Sequence, residues 1–292
     1  VIELRPLQPD DVAAADEMAV ASLRAGAKAY EAEHAMPPRT AEMVERGRYR
    51  IAHLQRTDPD GAWVAVDGDS VVGVALSLRR GPMWFLSLLA VATDLQSRGV
   101  GKRLLDASLR TSDGATSSWI LSTTDPKAVR RYALAGFAPH AGYAAAGELD
   151  RTLLPADLRV RDGDWAKDGQ LVDDVVTLLR GAAYGPDLAA MESTGQLLLI
   201  AEDGPERGFA IVRNGAIGSL GATTPGLAQR LLWATLARAE KPEVHIDWLT
   251  ADQQWAIDVA LAARLSLGAG PSACRRRTLG PMTPYLPGGA YG

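Results

Sequence analysis

The sequence predicts an α/β (α+β) chain built from two similar halves, and three observations carry that reading. The apolar run Trp84 to Val91 reads as a buried strand. The glycine turn Gln96-Ser97-Arg98-Gly99-Val100-Gly101 follows it, and Lys102 to Leu109 is apolar at helical spacing. A second unit has the same alternation: Ser118 to Ser122 reads as a strand, Asp125-Pro126 as an N-cap and first helical residue, and Gly136 as the C-cap before Phe137 opens another strand. Pieces of this pattern then recur in the second half of the chain.

The strand, glycine turn and helix start form a candidate anion site. Glycines let a ligand approach the backbone, and the first N–H groups of a helix have no partner within it. Two glycines in a turn are common, so the signal lies in the register of strand, loop and helix.

The repetition is visible by eye. Ala92 to Leu109 reads ATDLQSRGVGKRLLDASL and Ala222 to Leu236 reads ATTPGLAQRLLWATL, with Leu-Leu and a closing Leu at matching helix offsets. Trp63 to Val66 corresponds to Leu198 to Ala201, and Ser70 to Leu76 to Gly208 to Val212. Tyr132 to Gly136 is matched with Arg264 to Gly268, which sets Arg264 opposite Tyr132. The expected division is 1–150, 151–280 and a Pro/Gly-rich tail at 281–292. The second loop is shorter, carries one glycine, and has Pro225, which has no N–H to offer; the second half is therefore read as a degenerate copy, with an unrelated α/β domain as the alternative.

A length of 292 residues suits two domains, and an apolar fraction of 47% is enough for ordinary cores. A net charge of −4 gives no electrostatic case for nucleic acid. The single Cys274 excludes an intramolecular disulfide and a thiolate metal cluster and suits a reducing compartment. No run reaches the apolar length of a membrane span, and Val1 to Leu7 alternates like a strand rather than a signal peptide. The expected setting is cytoplasmic.

With Leu89-Ala90-Val91, Gln96 to Gly101, and Asp125-Pro126-Lys127-Ala128 through Tyr132 to Gly136-Phe137, the chain resembles the GNAT superfamily of acyl-CoA N-acyltransferases over about residues 84–138. Asp125 stands where the family usually has Asn. The resemblance implies tandem GNAT-like domains, each a mixed, mostly antiparallel sheet flanked by helices. It implies transfer of an acetyl group from acetyl-CoA, a co-substrate, to a primary amine in a ternary complex. The backbone of Leu89, Ala90 and Val91 would pair with the pantetheine arm. The loop of Gln96, Ser97, Arg98, Gly99, Val100, Gly101 and Lys102 would hold the pyrophosphate, with Asp125 beside the cofactor. Arg98, Lys102 and Arg103 supply positive charge there, although such residues also occur as ordinary solvated side chains.

Tyr132 is the expected general acid, since a phenol near pKa 10 can protonate a departing thiolate. The plainer reading is a tyrosine packed on the sheet. Glu31 and His34, in the segment before Pro37-Pro38, are candidate general bases; the plainer reading is a solvated helix end. His53, His140 and His245 read as structural or surface residues. The expected partners are a small-molecule or peptide amine acceptor, with no nucleic acid and no membrane, in a monomer or homodimer. Two alternatives stay open: a non-catalytic acyl-CoA-binding regulatory or scaffold protein, and a generic phosphate-binding α/β protein. The tail is most simply a frayed end, with docking into a groove as the alternative.

Overall fold

The computed structural model describes residues 1–30, 38–277 and 280–292. The first half comprises β1 (Glu3–Pro6), α1 (Val12–Tyr30), α2 (Ala41–Thr57), β2 (Ala62–Asp67), β3 (Ser70–Arg80), β4 (Met83–Val91), α3 (Val100–Leu109), β5 (Ser117–Leu121), α4 (Pro126–Leu134) and β6 (Ala138–Glu148). The second comprises β7 (Arg161–Asp162), α5 (Trp165–Arg180), α6 (Pro186–Ser193), β8 (Leu197–Asp203), β9 (Glu206–Arg213), β10 (Ala216–Ala222), α7 (Pro225–Ala237), β11 (Glu243–Leu249), α8 (Gln254–Ala262), β12 (Ser266–Arg276) and β13 (Tyr285–Leu286). No helix among the described residues is long and apolar enough to cross a membrane.

The strands form an eight-stranded sheet ordered β1-β2-β3-β4-β5-β12-β6-β11 and a five-stranded sheet ordered β13-β10-β9-β8-β7. The larger sheet is mixed: β4 and β5 run parallel and its other neighbours antiparallel. Its far end is a reciprocal exchange. Strand β12 of the second half lies between β5 and β6, while β6 of the first half lies between β12 and β11. Gly142 and Gly270 face each other in this pairing. A Cβ would stand 2.4 Å from the Pro271 carbonyl oxygen at the first and 2.3 Å from the Tyr143 carbonyl carbon at the second. Glycine at both is what lets the two backbones meet.

Alternation along the strands sorts the two faces. Val64, Val66, Val74, Leu76 and Leu78 pack with Ala15, Ala19, Ile51 and Leu54 of α1 and α2. Ala65 and Ala75 pack with Val100 and Leu104 of α3 on the opposite face. Helices α1 and α2 therefore cover one face, and α3 the other.

A buried ion cluster ties the halves. Arg80 Nε and Nη2 donate to Asp187 at 2.8 and 2.6 Å, its Nη1 donates to Asp58 at 3.0 Å, and His53 Nε2 lies 2.8 Å from Asp187. His53 is thus a structural residue, as its sequence context suggested.

The tail is docked, not frayed. Tyr285, Leu286 and Tyr291 are buried, and β13 pairs with β10. The fully buried Arg180 donates to the carbonyls of Tyr291 and Gly292 at 2.7 and 2.9 Å, and the Tyr285 hydroxyl donates to Gly292 at 2.7 Å. Proline and glycine rule out a helix, but these partners satisfy an irregular backbone just as well.

The repeat also needs one correction. Gly136 and Arg264 both take positive φ just after a helix, at +86° and +58°. The next N–H groups, of Phe137 and Leu265, donate to Tyr132 and Ala260. Arg264 therefore corresponds to Gly136, and the residue opposite Tyr132 is Ala260.

Candidate functional site

Strands β4 and β5 pair only from Met83–Leu86 to Ser117–Ile120, although β4 continues to Val91. The reason is a bulge in β4. Leu88 pairs with Leu76 and Leu86 with Ser77, which leaves Ser87 as an extra residue. A bulge bends its strand and ends regular pairing, so the two strands part beyond it. A cavity of about 610 Å³ opens in the wedge. It passes through the sheet: Ser22, Leu23 and Arg50 of α1 and α2 line one side, and Gly101, Lys127, Arg131 and Tyr132 of α3 and α4 the other.

At the α3 end, Ser97 and Gly99 take φ of +63° and +87°, with Gly99 as the helix N-cap. For Gly99 this left-handed geometry carries no Cβ penalty. Among the described residues, the N–H groups of Gly99, Val100 and Gly101 have no hydrogen-bond acceptor. Donors turned outward at a helix start suit an anion. The corresponding turn before α7 is closed: the Thr224 side chain accepts from the Leu227 N–H and Pro225 has none to offer.

Of the expected cofactor-binding residues, Leu89, Ala90, Val91, Gln96, Ser97, Gly99, Gly101, Asp125 and Tyr132 line the cavity. Three do not line it. Arg98 is exposed, Val100 is buried against Leu104 and could contribute only its N–H, and Lys102 pairs with Asp106. Gln96 Nε2 donates to the Val91 carbonyl, which also accepts from Ser22 Oγ at 2.8 Å, fixing the loop to β4. The candidate bases Glu31 and His34 lie outside the described residues.

Tyr132 is buried with Trp84, Phe137 and Cys274, yet it reaches the cavity wall. Burial holds its phenol well above the ordinary value, reinforced by the nearby Cys274 and Asp125. Burial also pushes the Cys274 thiol up to about 11. Asp125 caps α4, accepting from the Lys127 N–H at 2.8 Å.

Ser22, Arg50, Ser87 and Trp248 were not anticipated as lining residues, whereas Gly289 and Ala290 belong to the tail, whose docking was the alternative reading. Arg50 Nε donates to Ser87 Oγ at 3.1 Å, and its Nη2 donates to Ser87 Oγ at 2.7 Å, to the Ser87 carbonyl and to the Gly289 carbonyl at 3.3 Å. A charged residue four before the buried Leu54, and so on the apolar face of α2, was the available signal. Trp248 has φ +56° within an irregular stretch of β11, and nothing in its local sequence marks it.

Residues 27–137 match the family described as Acetyltransferase (GNAT) family. No curated protein matches the chain. Among solved structures, a Pyrococcus horikoshii protein assigned to the acetyltransferases aligns with TM-score 0.77 and 18% identity over 100% of this chain and 96% of its own. A GCN5-related N-acetyltransferase from Sphaerobacter thermophilus gives 0.59 and 16% over 96% of both chains. A tandem GNAT protein from the clavulanic acid biosynthesis pathway gives 0.57 and 16% over 94% of this chain and 97% of its own. The first half of this chain belongs to the GNAT acetyltransferase family, and the chain as a whole has the tandem GNAT fold.

Proposed function

We propose that the chain transfers an acetyl group from acetyl-CoA to a primary amine, with chemistry confined to residues 1–150 and the degenerate second half, 151–280, closing the site. The observation that supports this best is one cavity joining unpartnered loop N–H groups to Tyr132 through the β4–β5 wedge. Bound acetyl-CoA supplies a thioester carbonyl open to attack by an amine.

In this reading the N–H groups of Gly99, Val100 and Gly101 hold the pyrophosphate, and the stretch Leu89 to Val91, which lies beyond the end of the β4–β5 pairing, pairs through its backbone with the amides of the pantetheine arm. Tyr132 gives its proton to the sulfur as the carbon–sulfur bond breaks and the nitrogen–carbon bond forms. The proton lost by the amine returns to the phenol through solvent, so the step balances. Burial keeps Tyr132 protonated, as a general acid must be. The same low-dielectric site raises the proton affinity of a departing thiolate, so donor and acceptor shift together.

One observation favours the non-catalytic alternative. Among the described lining residues the single carboxylate is Asp125, already engaged as a helix cap, and there is no imidazole to act as base. Release of CoA thiol from acetyl-CoA, measured over a panel of amines, separates the two. Amine-dependent release supports transfer. Tight acetyl-CoA binding with no release for any amine would support the binding protein.

A further inference from the structure

Among the described lining residues, the ionisable groups other than Arg50 are Asp125, Lys127, Arg131 and Tyr132, all on or capping α4. Among the described lining residues, the opposite end, where α1, α2 and the tail meet the β4 bulge, carries Arg50 alone. No carboxylate among the described residues pairs with it. Its Nε and Nη2 are held by Ser87 and Gly289, while Nη1 makes no hydrogen bond to a described residue.

Burial disfavours the charge and lowers the Arg50 pKa, with Tyr291 opposing the shift. The guanidinium nonetheless remains protonated at any ordinary pH, so among the described residues the wall holds a cation without a carboxylate partner. Such a group gains most from an anion supplied by a ligand. Its orientation is already fixed, so little rotamer freedom is left to lose on binding. The cavity of about 610 Å³ must also admit the thioester end of CoA, which leaves room for a small acceptor.

We propose that Arg50 is the carboxylate-recognition residue of the acceptor site, and that the acceptor is a small amine bearing a carboxylate, of the amino-acid class. This rests on the acyl-transfer reading. The carboxylate docks on Nη1 beside the Ser87 bulge. The amine then points along the wedge toward the thioester, in a cavity that Trp248 also lines.

The test uses matched pairs that differ only in the carboxylate: leucine with isoamylamine, phenylalanine with phenethylamine, and lysine with cadaverine. Binding to the acetyl-CoA-loaded protein is read by saturation-transfer NMR, and turnover by thiol release. In at least one pair the amino acid should bind tenfold or more tightly. Arg50→Gln should remove that preference with acetyl-CoA affinity, measured by calorimetry, unchanged within twofold. Arg50→Lys should retain part of it and serves if the glutamine variant does not fold. Equal binding within every pair, preference for the plain amines, no carboxylate-dependent binding in any pair, or a preference that survives Arg50→Gln overturns the proposal. Failure of the folded protein to bind acetyl-CoA would instead overturn the acyl-transfer reading, and carboxylate binding that persisted there would leave the Arg50 site standing.

Discussion

Ser87 Oγ donates a 2.6 Å hydrogen bond to the carbonyl of Ala290, joining the bulge of β4 to a segment 203 residues away. The bulge that parts β4 from β5 is therefore also one of the points where the tail is fastened. The cavity has a wall on that side because Gly289 and Ala290 are held there.

Removal of Gly288 to Gly292 should both open the cavity and destabilise the fold. The fully buried Arg180 would lose two of its four carbonyl partners, those of Tyr291 and Gly292, and keep those of Ala182 and Ala183. Loss of hydrogen bonds from a buried charge costs about 1.5–3 kcal/mol each. A drop of roughly 3 kcal/mol in urea unfolding is expected. A truncated chain as stable as the full one would show the tail to be a passive cover.

The Arg80–Asp187 contact makes a second, independent demand. Asp187→Asn leaves Arg80 with Asp58 as its one carboxylate partner among the described residues and should cost about 3–5 kcal/mol, as removal of one partner from a buried pair does. The exposed Glu42 pairs with Arg46 and Arg213, and Glu42→Ala should cost under about 1 kcal/mol. Equal losses in the two variants, by denaturant titration, would contradict the role given to the cluster.

Much of the first half was legible because its signals are local. Gly99, Asp125, Pro126 and Gly136 each mark a left-handed backbone position, a cap or a helix start, which depends on adjacent residues alone. The strand exchange was not legible. Strands β6 and β12 read APHAGYAAAGE and SLGAGPSACRR, with little apolar alternation, because their stability comes from pairing on both sides rather than from one buried face. Arg50 escaped notice because its partners, Ser87 and Gly289, come from distant parts of the chain. The matching of Arg264 with Tyr132 failed because it rested on leucine and glycine spacing, whereas the helix ends are set by the residues with positive φ.

Stability should fall in acid partly through Asp11. The Arg5 guanidinium, which donates to it at 2.6 and 2.8 Å, holds its carboxyl below the usual range. A depressed carboxyl stabilises the fold fully above its unfolded pKa, and that contribution is lost as pH falls through the folded value. Asp11→Asn should therefore be less stable than the parent at neutral pH and converge with it in strong acid. A stability difference that widened on acidification would reverse the sign and refute the assignment.

Tyr132→Phe should lower kcat by about 10²-fold, the scale of a lost general acid, with little change in acetyl-CoA affinity. Because burial holds this phenol above its ordinary value, its ionisation should not limit the rate below about pH 10. A descending alkaline limb that disappears in the phenylalanine variant would show a phenol titrating near its free value instead.

The most direct measurement is calorimetric titration of the protein with acetyl-CoA, beside Gly101→Glu and Gly226→Glu. Both glycines have open or ordinary space around a new Cβ, so neither change need disturb the fold. One site per chain, with micromolar affinity, lost in Gly101→Glu and kept in Gly226→Glu, is the result expected of a first half that binds acetyl-CoA and a second that does not. Two sites, or binding that survives Gly101→Glu and is lost in Gly226→Glu, would contradict it.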